Sequence, residues 1–149
     1  MTTISRASFE TDIAPLDIDV QGPDGAPVPD GDLRRLFPGT SLTERRLERL
    51  RDWPRIVVRC GTRIVALATC KKTDVELRVP DLAFDPDCGC GHHEVLGALL
   101  DAVELAGLAG GCQRIIVMPP HVSPAFLERR GYTAIRERCA GGWLEKPLG

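Results

Sequence analysis

The sequence predicts an α/β (α+β) domain, with a central mixed, mostly antiparallel sheet flanked by helices. Three observations predict it. Apolar runs of strand length, separated by turn residues, fill residues 55–84. A long amphipathic pattern then occupies residues 93–109, with apolar positions at helical spacing. A short and almost wholly apolar run, Arg114-Ile115-Ile116-Val117-Met118, follows it and reads as a buried strand. Strands that change from hairpin to helix-separated in this way call for a mixed sheet with helices on its faces.

The elements follow in order. Residues 1–40 are an irregular N-terminal segment, acidic and rich in proline and glycine over 1–32, with room for one short strand around Asp17–Val20. Ser41 and Glu44 form a Ser-x-x-Glu capping box that starts a helix running to Asp52. Leu42, Leu47 and Leu50 make its apolar stripe, Arg45, Arg46, Glu48 and Arg49 are expected to face water, and Pro54 ends it. The runs at 55–60 and 63–68 flank Gly61-Thr62, a two-residue hairpin loop in which glycine supplies the positive φ. A third run spans 75–84 and contains Pro80, which cannot donate to a ladder, so pairing is expected to break or bulge there. In the long helix, Val95, Leu96, Leu99, Leu100, Val103, Ala106 and Leu108 are expected to form a wide apolar face, while Glu94, Asp101 and Glu104 mark the outer stripe. Gly110-Gly111 stops it. Ser123-Pro124 caps a short helix to Arg130, and Tyr132–Arg138 and Trp143–Lys146 read as final strands.

A chain of 149 residues with 43% hydrophobic and 27% charged residues has material for one core, so residues 1–149 read as a single domain. A net charge of -2 carries no footprint for nucleic acid or an acidic membrane surface. The polar start and the lack of any membrane-length apolar run predict a cytoplasmic protein. Cys60, Cys70, Cys112 and Cys139 lie in or beside apolar runs and read as reduced core thiols rather than as a disulfide framework.

Certain local words stand in this order at telling places. They are Asp81-Leu82-Ala83-Phe84-Asp85-Pro86, then Gly97-Ala98-Leu99-Leu100, then Ala125-Phe126-Leu127-Glu128-Arg129-Arg130-Gly131-Tyr132. Together with the element order they resemble the GNAT (GCN-related N-acetyltransferase) family, most strongly over residues 55–146. The resemblance implies a GNAT-like acyl-CoA N-acyltransferase fold, acetyl-CoA as acyl donor, and a primary amine of a small molecule or peptide as acceptor. It further implies that a fourth strand ending in Leu82, Ala83 and Phe84 splays from the fifth to hold the pantetheine arm. The glycines Gly89 and Gly91, with His92 and His93 at the start of the long helix, would meet the pyrophosphate, with Ser123 nearby. In some members of the family the last strands form a dimer edge, so a homodimer is a further expectation.

The sequence also departs from the family pattern. Cys88-Gly89-Cys90-Gly91-His92-His93-Glu94 stands where the family carries Gln/Arg-x-x-Gly-x-Gly/Ala, and Glu94 would repel a bound diphosphate. Leu127 occupies the place of the family's tyrosine acid, and Tyr132 reads as a packing residue. Amine acylation needs a group to take the ammonium proton. Asp81 and Glu76 on the strand, and His121 after Pro119-Pro120, are the catalytic candidates. Their structural alternatives are a loop-capping carboxylate for Asp81 and a surface ion pair for Glu76. Arg129-Arg130 and Lys71-Lys72 read either as contacts to the coenzyme's 3′-phosphate or as solvated surface. Two other readings stand beside the enzyme: a catalytically degenerate binding or regulatory module, and a metal- or redox-responsive Cys88–His93 loop. Four donors within six residues surround a tetrahedral ion poorly, so no metal ligand is assigned.

Overall fold

The computed structural model describes residues 15–87, 89, 91–118, 123–135 and 142–149. His121, Cys88, Cys90 and Cys139, named above, lie outside the described residues. The elements run β1 (Leu16–Gln21), α1 (Asp30–Leu36), a 3-10 turn (Gly39–Ser41), α2 (Glu44–Asp52), β2 (Arg55–Cys60), β3 (Arg63–Thr73) and β4 (Glu76–Phe84). There follow α3 (His92–Ala109), β5 (Arg114–Val117), α4 (Pro124–Arg129), β6 (Thr133–Ala134) and β7 (Leu144–Pro147). The strands form one sheet in the order β1-β2-β3-β4-β5-β7-β6, antiparallel except for β4 against β5. That is the mixed sheet the sequence predicts.

The sheet is covered on both faces. α3 lays Val95, Leu96, Leu99, Leu100 and Val103 over one face, against Ile56, Val58, Ala68, Leu77, Val79 and Leu82. α1 and α2 cover the other with Leu33, Leu36, Phe37 and Leu50 against Val57, Ile64, Leu67 and Ala83. α1 was not foreseen. Its seven residues are too few to display a helical period, and its two acids and two arginines mask the two leucines that dock it, Leu33 and Leu36. The capping-box reading of α2 is corrected by two residues: Thr43 is the N-cap, its hydroxyl accepting from the Arg46 N–H at 3.2 Å, while the Ser41 hydroxyl donates to the Pro38 carbonyl. β6 is far shorter than the Tyr132–Arg138 run, of which residues 136–138 lie outside the described residues.

Two bulges set which way side chains point. Across β2 and β3, Val58 faces Ala66 but Arg59 faces Ile64, which leaves Val65 as an extra residue. Across β3 and β4, Thr69 faces Asp81 but Lys71 faces Arg78, so Cys70 alone stands opposite both Val79 and Pro80. One inserted residue reverses the alternation along β4. Leu77 and Val79 point to the α3 side before the bulge and Leu82 after it, which puts Asp81 and Ala83 on the α2 side.

Candidate functional site

β4 and β5 pair in parallel register from Glu76–Arg114 to Val79–Val117, and the Met118 N–H still reaches the Val79 carbonyl at 3.0 Å. Among the described residues no ladder joins the strands beyond that point. Pro80, with no N–H to give, is the next residue. The break expected at Pro80 is present as a bulge toward β3. Residues 119–122 lie outside the described residues, and among the described ones a gap runs along one edge of β4 from Asp81 to Phe84 while the other edge remains paired to β3.

On the α3 side of the gap lies a cavity of about 240 Å³. Phe84, His92, His93, Ser123, Phe126 and Arg129 stand in its wall. The His92 ring meets Phe84 edge-on at 5.0 Å and its Nε2 lies 2.9 Å from the Pro86 carbonyl oxygen; His93 tilts against Phe126 at 5.1 Å. Gly91 is the N-cap of α3, so the unpaired N–H groups of a helix of 18 residues open here. Ser123 is the N-cap of α4 and makes no side-chain cap bond. The structure thus brings Phe84, Gly91, His92, His93 and Ser123 to one place, with Leu82 and Ala83 fully buried behind them and Gly89 exposed on the approach at φ 79°. Glu94 occupies the third helical position and its carboxylate folds back over Gly91, 3.3 Å from where a Cβ would stand. The carboxylate thus lies at the helix end, although with glycine as the N-cap no capping box is formed and no side-chain cap bond is made.

The catalytic candidates separate. Asp81 is fully buried and saturated. It accepts from Arg46 Nε (2.8 Å), from Arg49 Nε (2.7 Å) and Nη2 (2.8 Å), and from the Thr69 hydroxyl (2.5 Å). Burial pushes its carboxyl up, but the bonds from Arg49, Thr69 and Arg46 outweigh this and hold it below the ordinary carboxylate value. A carboxylate so held is a poor proton acceptor, and its evident work is to fasten α2 to the bulge. Arg46 and Arg49, expected in water, are instead turned inward, because the bulge offers them a buried anion. Glu76 sits at the closed end of the β4–β5 pair, ion-paired to Arg114 and, at 3.3 Å, to Arg78. It is four residues from Pro80, about 13 Å along the strand, and is not brought to the gap.

Tyr132 is buried and donates to Glu104 Oε2 at 2.9 Å; burial first, then the Glu104 charge, push its phenol well above the ordinary value. Arg130 pairs with Asp101 at 2.5 Å, whereas Arg129 is the member of that pair at the cavity. Lys71 lies over the Trp53 ring and Lys72 donates to the Gly110 carbonyl. Asp85, at the end of β4, is held by Arg35 (3.1 Å), Arg63 (3.0 Å) and the Asp87 N–H (2.9 Å), which fixes the start of the loop to α3.

Sequence reasoning missed a second cavity, of about 320 Å³, on the α2 side of the bulge. Arg45, Glu48, Arg49 and Asp52, spaced three and four apart on α2, line it together with Pro80 and both tryptophans. The spacing was visible in the sequence; what it faced was not. Among the described residues no helix is long and apolar enough to cross a membrane, and no group of three or more metal-type side chains converges.

No protein-family model matches the sequence, and no curated protein matches it. Solved structures do. N-acetylglutamate synthase from Neisseria gonorrhoeae, complexed with coenzyme A and N-acetyl-glutamate, superposes with a TM-score of 0.69 at 12% identity; 91% of this chain is covered but only 36% of that one. The PaiA N-acetyltransferase from Thermoplasma acidophilum, in complex with coenzyme A, gives 0.66 at 11% identity, covering 90% and 99% of the two chains. A GNAT family acetyltransferase from Elizabethkingia anophelis with acetyl-CoA bound gives 0.62 at 15% identity, covering 89% and 98%. The chain has the GNAT acyl-CoA N-acyltransferase fold.

Proposed function

We propose that this protein is an acyl-CoA-dependent N-acyltransferase, moving an acetyl group from acetyl-CoA to a primary amine. The observation that carries the reading is the end, among the described residues, of the β4–β5 ladder just before Pro80, with one cavity on each side of the sheet beside it. In this reading the pantetheine arm enters the gap along Leu82–Phe84 and the diphosphate meets the α3 N-terminus at Gly91–His93, near Ser123. The resemblance to coenzyme-bound neighbours of the same fold supports the donor. The amine comes from the α2 side, its nitrogen forms a bond to the thioester carbon, the C–S bond breaks, and the leaving thiolate takes up a proton. Strand N–H groups freed by the splay polarise the carbonyl oxygen. Asp81 organises the site, and Glu48, exposed on α2 in the acceptor cavity, receives the ammonium proton directly or through water.

One observation favours a second reading, a coenzyme-binding module without turnover: Glu94 lies over the helix end where the diphosphate belongs. Calorimetry with acetyl-CoA followed by a free-thiol release assay on a panel of amines separates the two. Binding with thiol release supports the enzyme; binding without release on any amine supports the module; no binding sinks both. Self-association along the β6 edge belongs to the same reading and is checked by light scattering.

A further inference from the structure

We propose that the acceptor cavity selects amines that also carry a carboxylate, such as free amino acids, and disfavours polycationic amines. The inference rests on the N-acyltransferase reading and adds the chemistry of the second substrate.

The charges in the cavity decide it. Asp81 is a single negative charge shared by Arg49 and Arg46, so this trio is itself net positive. Two other guanidiniums stand beside it. Arg78 lies on β4 two residues before Pro80, about 7 Å along the strand from it and next to the bulge. Its side chain is 41% exposed, and among the described residues it gives only its Nε, at 3.3 Å, to Glu76. That carboxylate is shared, because its other oxygen accepts from Arg114. Among the described residues the Nη donors of Arg78 meet no acceptor, and their forked arrangement suits a carboxylate. Arg45, exposed on α2, has no ion pair among the described residues and adds a second positive charge to the same space.

The anions are Glu48 and Asp52. Asp52 pairs with Arg51 at 3.4 Å, but both side chains are largely exposed and the pairing is weak, so Glu48 and Asp52 both offer a carboxylate to an ammonium. Glu48 lies one turn of α2 from Arg45 and next to Arg49, whose bonds to Asp81 place this part of the helix at the bulge. Glu48 and Arg78 line the same cavity, so one ligand that carries both an ammonium and a carboxylate meets a partner for each. A polyamine finds carboxylates at Glu48 and Asp52 but also meets Arg45 and Arg78, whose charges it cannot compensate. Trp53 and Trp143, in the same cavity, provide flat apolar wall for the body of the acceptor.

Both tryptophans of the chain line this cavity, so its occupancy is read directly from intrinsic fluorescence, without donor or turnover. The probes are pairs that differ only in the carboxylate, phenylalanine with phenethylamine and leucine with isoamylamine, plus spermidine. Phenylalanine or leucine is expected to shift tryptophan emission with an affinity tenfold or more above its decarboxylated partner, and spermidine to bind weakest. Arg78→Gln should erase that advantage and leave the acetyl-CoA affinity unchanged, while Arg45→Gln, at an exposed unpaired position, should reduce it less. In the thiol-release assay the same variants raise KM for the amino acid with kcat little altered. Equal or better binding of the decarboxylated amines or spermidine overturns the inference, as does an Arg78→Gln protein that keeps the preference. Carboxylate-dependent binding without any acetyl-CoA binding leaves the inferred anion site standing and sinks the transferase reading instead.

Discussion

Replacing Asp81 by asparagine separates an organising carboxylate from a catalytic base. The substitution keeps the shape and removes the charge that Arg46 and Arg49 share. Removing one partner from a buried ion pair costs about 3–5 kcal/mol, because the other is left uncompensated. Here the arginine side chains are 11% and 23% exposed and water reaches them in part, which puts the expected loss near the lower end, about 3 kcal/mol. For a chain of this size that lowers Tm by roughly 6–12 °C. The pH dependence has a definite sign. The native carboxyl titrates below its ordinary 3.8, so its stabilisation is full above that value and disappears as pH falls through the lowered native one. Wild type and Asp81→Asn should thus differ most at neutral pH and converge under acid. Urea unfolding monitored across pH measures this. A variant with unchanged midpoint and acetyl-CoA affinity but a hundredfold lower turnover would refute the organising role and restore Asp81 as the base.

Other expectations follow from single contacts. Tyr132→Phe should cost about 1 kcal/mol, the worth of one buried hydrogen bond, and leave turnover intact; a large loss of turnover at unchanged Tm would assign the phenol a chemical role. Gly97→Ala should raise stability by about 0.5–1 kcal/mol, since a Cβ there meets only Arg130 Nη1 at 3.7 Å; a lower Tm would show that the helix packs against α4 more tightly than described. Glu94→Gln should tighten acetyl-CoA about two- to fivefold in calorimetry by removing a charge from the helix end, and weaker binding would place the diphosphate elsewhere. Burial pushes the Cys70 thiol up to about 12, so iodoacetamide should label it only in urea, and modification of the folded protein at mildly alkaline pH counts against the packing.

The architecture was legible wherever periodicity is long or a single residue forbids an alternative. The 55–68 hairpin, the long helix and the break at Pro80 all stand where the pattern puts them. α1 was not legible, because a seven-residue helix held by tertiary contact carries little local signal. The site was half legible. Phe84, Gly91, His92, His93 and Ser123 converge as the local words suggest. The cavity on the α2 side was hidden, since Arg46 and Arg49 look solvated until a bulge elsewhere in the chain turns Asp81 toward them. Side-chain direction after a bulge is a property of two strands, and one strand's sequence does not state it.

The extra residue opposite Cys70 also limits how this protein can be altered or recombined. Deleting Pro80 would remove the bulge and the missing donor together: Leu77, Val79 and Leu82 would then alternate regularly on the α3 side, Asp81 would keep its place on the α2 side with its arginines, and β4 would regain the N–H that lets it pair on toward β5. β4 transplanted alone into a relative of the same fold would carry its opening but leave its anion without arginines. α2 transplanted alone would arrive with two cations and nothing to hold them. The two segments, 44–52 and 76–84, form one heritable unit despite their distance in sequence, and a chimera that exchanges both together should keep its docking where either exchange alone loses it.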